Sequence, residues 1–268
     1  ITREEAKQFA EKLLPGEILL LENVRFHAEE TKGDIPFAKK LADLGDCYVN
    51  DAFGTAHRAH ASTCQIAQFF PKSKMCGYLM ENEIKRAKEI MEDTKRPFTA
   101  IVGGAKVSDK LLIVENLLEK ADHIIIGGGM AYTFKKALGG KIGNSLCEDE
   151  RITTCLEILK RAKQKGVSIH LPVDSVIADD FNNSANTKTT NSNEIEDNWM
   201  GLDIGPLASE AFSNVILSSK TILWNGPMGV FEMPSFEQGT KAIAESVAEA
   251  TKNGAYSLIG GGDSAAAA

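Results

Sequence analysis

The chain has 268 residues, 43% of them hydrophobic and 25% charged, an ordinary globular composition with enough length for a sizeable core. A formal net charge of −7 argues against general nucleic-acid binding, though it leaves room for a local basic pocket. Five dispersed cysteines (Cys47, Cys64, Cys76, Cys147, Cys155) form no CxxC pair, which speaks for reduced thiols and against a disulfide frame or zinc site.

There is no N-terminal signal pattern and no apolar run approaching the roughly 18 residues of a membrane span. A cytoplasmic protein without membrane insertion is expected. The chain starts at Ile1 and stops at Ala268, just past an expected helix start, so a fragment of a longer protein is also expected.

In chain order, Thr2 with Glu5 fits a capping box for a helix running to Leu14, stopped by Pro15–Gly16. Glu17 to Leu21 is expected as a strand, leading to Arg25. Asp34 and Pro36 open a second helix through Lys39, Leu41 and Leu44, closed by Gly45. Cys47 to Val49 is expected as a strand feeding the loop NDAFGTAHRAHAST (Asn50 to Thr63), which carries His57, Arg58 and His60. A long helix follows from about Met80 to Thr94, with Ile84, Ala87, Ile90 and Met91 on one face. The strand–helix rhythm pauses there, which makes residues 79–96 the expected connector between domains at 1–78 and 97–268.

From Phe98 one pattern recurs: apolar strand, glycine turn, helix. It appears at AIVGGAK (Ala100 to Lys106), IIIGGGMAYTF (Ile124 to Phe134), TILWNGPMGVFE (Thr221 to Glu232) and SLIGGGDSAAAA (Ser257 to Ala268). VSIHLPVDSVIADDF (Val167 to Phe181) is expected as a further strand, and Asn182 to Asn198 as a solvated loop. Alternating apolar strands and helices predict a parallel sheet covered on both faces. Its ligands would bind beyond the C-terminal strand ends, where the four glycine turns should meet in one crevice.

Within FTAIVGGAKVSDK (Phe98 to Lys110), Ser108 or Asp109 is expected to cap the helix. Lys106 falls in the turn and Lys110 at the helix start. Cations there oppose the helix macrodipole, so an anionic ligand reached by the backbone N–H groups of the Gly-Gly pair is one reading. A plain turn with solvated lysines is the other. The segment is not a Walker A loop. Gly260, Gly262 and Ala265 match G-x-G-x-x-A, but the ribose-binding acid of that fingerprint would fall past Ala268. Asp263 either caps its helix or holds Mg²⁺ beside a nucleotide. Arg25, His57, Arg58 and His60 form either a surface with incidental charge or a basic pocket for a small phosphorylated acid. His-x-x-His lacks a third ligand, so no metal is expected there. Trp224 and Met130 are read as packing residues, and no cysteine has a base beside it in sequence.

Taken together, LLLENVRFH, NDAFGTAHRAHAST, FTAIVGGAKVSDK, IIIGGGMAYTF, LPVDSVIADDF, WMGLDIGP, LWNGPMGVFE and IGGGDSAA closely resemble the phosphoglycerate kinase family, in order and over essentially the whole chain. The resemblance implies two doubly wound parallel-sheet, Rossmann-like α/β domains joined by a helix. The first would be an incomplete 3-phosphoglycerate-binding domain and the second a nucleotide-binding domain truncated at its C-terminal end. It implies reversible phosphoryl transfer from 1,3-bisphosphoglycerate to ADP in glycolysis, with Mg²⁺, by a cytoplasmic monomer without nucleic-acid or membrane partners. By motif, Arg25 and Arg58 would hold the 3-phosphate end of the glycerate, with His57 nearby. Lys106 would stabilise the phosphoryl group in transfer, and Lys110 would contact the nucleotide phosphates. Gly104, Ala105, Gly128, Gly129, Leu202 and Pro227 would line the adenine pocket, and Gly201 would also bind the nucleotide. Glu232 would meet the ribose, Asn225 the phosphate region and Ser264 the phosphates, and Gly261 and Gly262 would also bind the nucleotide. Asp263 would hold Mg²⁺.

The family's N-terminal strand with its Asp, Asn and Arg, its His-Leu-Gly-Arg segment and its C-terminal glycine-rich helix start are not found in the sequence. The chain by itself is therefore expected to be inactive or nearly so. A nucleotide-binding module without catalysis is the alternative, and an NAD-binding enzyme built on Gly260 to Ala265 a third.

Overall fold

A computed structural model of the chain describes residues 4–92 and 94–267. The expected Thr2 cap and the Met91 side chain lie outside that description. The chain separates into two compact units, one up to Lys88 and one from Glu89 onward, so the division falls inside a helix.

The first unit contains helix α1 (Glu4–Glu11), helix α2 (Ala28–Lys32), helix α3 (Ile35–Ala42), strand β1 (Tyr48–Asn50) and strand β2 (Lys74–Cys76). Helix α4 (Tyr78–Glu92) crosses into the second. α1 ends at Glu11, short of the expected Leu14, because the next N–H groups fold back three residues to Phe9 and Ala10. The strand expected at Glu17 to Leu21 is not formed: Ile18 and Leu20 are each 92% exposed. The reason is the want of a partner, since the sheet here is only the parallel pair β1–β2. α3 starts as expected, with Asp34 Oδ1 accepting from Phe37 N–H at 2.7 Å and Pro36 in the first turn. Its apolar face, Phe37, Ala38 and Leu41, packs on Ala61, Ile66 and Phe70. At α4, Asp51 Oδ1 accepts from Met80 N–H at 2.8 Å.

The second unit runs β3 (Phe98–Val102), α5 (Val107–Leu117), β4 (His123–Ile126), α6 (Met130–Ala137), β5 (Lys141–Ile142), α7 (Ile152–Lys165), β6 (Ser168–His170), β7 (Asp174–Ala178), β8 (Thr187–Asn191), β9 (Glu194–Ile195), β10 (Met200–Ile204), α8 (Pro206–Leu217), β11 (Thr221–Asn225), α9 (Gln238–Lys252), β12 (Tyr256–Gly260) and α10 (Gly262–Ala267). Its main sheet has the order β12-β11-β3-β4-β6, with every pairing parallel. The central strands β3, β4 and β11 are largely apolar runs because both faces are largely buried. Phe98, Ala100, Val102, Ile124 and Ile126 face α5, α6 and α7, meeting Val114, Phe134 and Ile158. Ile101, Ile125, Ile222 and Trp224 face α8 and α9, meeting Phe212, Ile216, Ile243 and Val247. Trp224 and Met130 are core residues, as expected.

Two expectations about the second half fail. Val167 to Phe181 is two strands, broken at Leu171 to Val173, where Pro172 removes a backbone donor. β6 joins the main sheet, whereas β7 lies in an antiparallel sheet of order β10-β7-β8. The supposed loop Asn182 to Asn198 contains β8 and β9. β8 alternates exposed and half-buried residues, and its threonines carry the strand preference that its polarity conceals.

Three helices here, α8, α9 and α5, take support at their N-termini from distant carboxylates. Asp174 accepts from Leu207 N–H (3.1 Å) and Ala208 N–H (2.7 Å) at the start of α8. Asp203 accepts from Gly239 N–H (2.7 Å) in the first turn of α9. Glu148 does the same for α5. The expectation that Ser108 or Asp109 caps α5 is thereby corrected: the helix begins one residue after Lys106, and Ser108 is a donor rather than the cap.

Candidate functional site

The four glycine turns follow the C-terminal ends of four adjacent strands, β12, β11, β3 and β4. They pack backbone against backbone. Gly103 N–H donates to Asn225 O (2.9 Å), Gly104 N–H to Pro227 O (3.2 Å) and Gly128 N–H to Met228 O (3.0 Å). A Cβ on Gly103 would lie 2.0 Å from Pro227 O. The glycines are there for close approach, and their N–H groups are already used. This corrects the expectation that the Gly-Gly pair presents free N–H groups to a phosphate.

Beneath these turns lies a largely apolar cavity of about 500 Å³. Of the residues singled out in the sequence, Gly104, Ala105, Gly128, Gly129, Gly201, Leu202, Pro227, Glu232 and Asp263 line it. Phe181, Leu146, Asn144, Met200, Tyr132 and Val230 line it too, and sequence reasoning missed them. Apart from Tyr132, which lies on α6, they come from connections and from the antiparallel sheet, whose presence was not foreseen. A depression of about 570 Å³ over α9 is larger but more open and has no glycine turn, so the enclosed apolar cavity is the better ligand site.

Lys106, Lys110, Asn225, Gly261, Gly262 and Ser264 are not in the cavity wall. Lys110 stands beside it: its Nζ donates to Asn225 Oδ1, and its Cε lies 3.6 Å from the position of a Cβ on the lining residue Gly104. Lys106 is exposed at the N-cap of α5 and, among the described residues, makes no ion pair. Ser264 is fully buried, and its Oγ accepts from Gly226 N–H at 2.6 Å, so it braces the turn after β11. Asp263, next to it, is exposed at the cavity rim.

Asp203 supports the floor. Its Oδ1 lies 2.2 Å from where a Cβ on Gly229, a lining residue, would sit. Burial pushes its carboxyl up to about 7, with the bonds from Gly239 N–H and Ile204 N–H opposing. Burial likewise raises the neighbouring Tyr132 phenol, whose O–H donates to Ser175 Oγ at 3.0 Å. In the unfolded chain the Asp203 carboxyl ionises near 3.8; in the fold it keeps its proton to about 7. Its contribution therefore falls as pH rises through that window, on the order of 4 kcal/mol in all. Urea midpoints at pH 5 and 7.5 check this: the decline is expected to be shallower in Asp203→Asn than in the native chain.

In the first unit, Arg25 and His60 line a hollow of about 300 Å³ together with Glu30, Tyr48 and Ser62. Glu30 is 2% exposed, accepts from Ser62 N–H (2.9 Å) and Ser62 Oγ (2.6 Å), and sits 3.9 Å from His60 Nδ1. Nothing in the local sequence marks this glutamate, since its partners lie 30 or more residues away. His57 and Arg58 are exposed and do not line the hollow. Among the described residues no cluster of three or more His, Cys, Asp or Glu suits a metal ion, and no helix is long and apolar enough to cross a membrane.

Comparisons with known proteins bear on the family and the fold. The phosphoglycerate kinase family model matches residues 1–268. The chain is 52% identical to the phosphoglycerate kinase of Porphyromonas gingivalis over 286 residues, covering 98% of this chain and 68% of that protein. The structure of phosphoglycerate kinase from Coxiella burnetii superposes with a TM-score of 0.82 at 43% identity, covering 94% of this chain and 65% of that one. The enzyme from Pyrococcus horikoshii gives 0.84 at 31% identity, covering 100% and 68%. The chain thus spans about two thirds of the length of these relatives. Matched to the family from end to end, and identical to one relative at more than half of the aligned positions, the chain belongs to the phosphoglycerate kinase family.

Proposed function

We propose that the second unit binds Mg·ADP or Mg·ATP, and that the chain carries the nucleotide half of the reversible phosphoryl transfer from 1,3-bisphosphoglycerate to ADP. The observation that carries this reading is the apolar cavity under four adjacent glycine turns, with Lys106, Lys110 and Asp263 beside it. The adenine enters between Gly201–Leu202 on one side and Gly128–Gly129 on the other, and Glu232 meets the ribose. Phosphoryl transfer asks a protein mainly for alignment and for cations where charge gathers on the phosphate oxygens. With the N–H groups of Gly103, Gly104 and Gly128 engaged elsewhere, much of that charge falls to the lysines. Lys110, steadied by Asn225, meets the nucleotide phosphates, and the unpaired Lys106 meets the group in transfer.

Asp263, an exposed carboxylate at the rim, suits Mg²⁺, which is usually held by one or two carboxylates plus phosphate oxygens. When bound, the ion neutralises charge on those oxygens. Arg25, His57 and Arg58 are assigned to the glycerate substrate. They do not share one hollow, so we further propose that the 268 residues alone turn over at a small fraction of a full-length enzyme's rate. The same observation favours a second reading, a nucleotide-binding module without catalysis. The reading also takes the protein as a cytoplasmic monomer.

Calorimetric titration tests the binding claim: Mg·ADP and adenosine should bind, and NADH should not. Binding of NADH with no uptake of Mg·ADP would sink it. A coupled assay on the chain decides between kinase and module.

A further inference from the structure

The stretch joining β5 to α7 touches the site twice. Asn144 and Leu146 line the cavity, and two residues later the Glu148 side chain reaches the first turn of α5. Its Oε2 accepts from Ser108 N–H at 3.0 Å and its Oε1 from Ser108 Oγ at 2.6 Å. Its own N–H donates to Thr133 Oγ1 at 3.1 Å, which ties it to α6.

The α5 start needs such support. Lys106 is its N-cap and supplies no side-chain bond, and lysine is not among the good capping residues. Lys110 places a further cation in the first turn, against the macrodipole. Left alone, the first N–H groups would be unsatisfied and the turn would fray. A carboxylate corrects both faults. The placement of that carboxylate is telling: it bonds to Ser108, while Lys110 is held by the neutral Asn225 and Lys106 has no ion-pair partner among the described residues. The acid steadies the helix without neutralising the cations.

We propose that Glu148 is a positioning residue for Lys106 and Lys110, fixing the first turn of α5 so that both lysines keep their charge available to nucleotide phosphates. This rests on the nucleotide reading above. Burial alone would raise the Glu148 carboxyl, but the bonds from Ser108 and Val107 and the charge of Arg151 hold it below the ordinary carboxylate range, so it stays ionised in its capping role at neutral pH.

The test compares Mg·ADP with adenosine, which needs the cavity and not the lysines. Glu148→Gln and Glu148→Ala should lower Mg·ADP affinity about tenfold, as expected for the loss of a helix cap, with adenosine affinity unchanged within about twofold. Ser108→Ala removes only the shorter bond and should give a smaller loss of the same kind. Equal losses for both ligands would mean a merely structural role and overturn the proposal. Unchanged or higher Mg·ADP affinity would overturn it too, since the carboxylate would then be a brake on anion binding. If the native chain took up neither ligand, the nucleotide reading itself would fall, and this inference with it.

Discussion

Lys110→Ala is expected to weaken Mg·ADP binding by about tenfold to a hundredfold, the worth of one hydrogen-bonded contact to a charged group, while adenosine binding stays near the native value. Two observations set the size of the effect. The N–H groups of Gly103, Gly104 and Gly128 are spent on Asn225 O, Pro227 O and Met228 O, so none of these three replaces the lost ammonium. The Nζ is also held by Asn225, so the native lysine pays little ordering entropy on binding. Calorimetry with both ligands reads the split. An arginine in its place should recover only part of the loss, because a planar fork does not reproduce the compact ammonium that donates to Asn225.

Gly103→Ala is expected to destabilise the second unit by more than about 4 kcal/mol, enough to leave much of a marginally stable protein unfolded. The added Cβ would fall 2.0 Å from Pro227 O and 2.6 Å from Gly226 O. Both are backbone atoms. Neither can withdraw, because Gly103 N–H is bonded to Asn225 O and a Cβ position on Gly226, whose φ is +102°, is itself 2.1 Å from Gly103 O. Overpacking against side chains costs less, since side chains can rotate away. Urea denaturation is the measurement. Gly262→Ala is the control: nothing lies within 4 Å of its Cβ position, so its stability should stay within about 0.5 kcal/mol of native.

The strand–glycine–helix units could be read from the sequence because burial on both faces leaves an unbroken apolar run, and each run ends where the chain must turn. Ile124 to Ile126 followed by three glycines admits few other readings. The cavity walls at Gly128, Leu202 and Pro227 followed from those units and the family resemblance. What the sequence hid was set by partners far along the chain. Glu17 to Leu21 has strand composition and no strand to pair with. Thr187 to Asn191 has loop composition and pairs with β7. Lys188 on that strand folds over Trp199 at 4.2 Å and bonds Glu196 at 2.9 Å, contacts that no local pattern announces. The two roles proposed for backbone and lysine were likewise inseparable by sequence, since only the fold shows that the N–H groups of Gly103, Gly104 and Gly128 are occupied.

The distant caps have a consequence for how the chain acquires its structure. The starts of α4, α5, α8 and α9 donate N–H bonds to Asp51, Glu148, Asp174 and Asp203, acids 29 to 40 residues away along the chain. Peptides cut to match α5, α8 or α9 would carry no cap and should be mostly coil in water. Each of these helices can lock only after a loop of that size has closed, so loop-closure entropy comes before helical stability. Collapse of the second unit should then be slow for its length and all-or-none, with circular dichroism and tryptophan fluorescence tracing one transition instead of two.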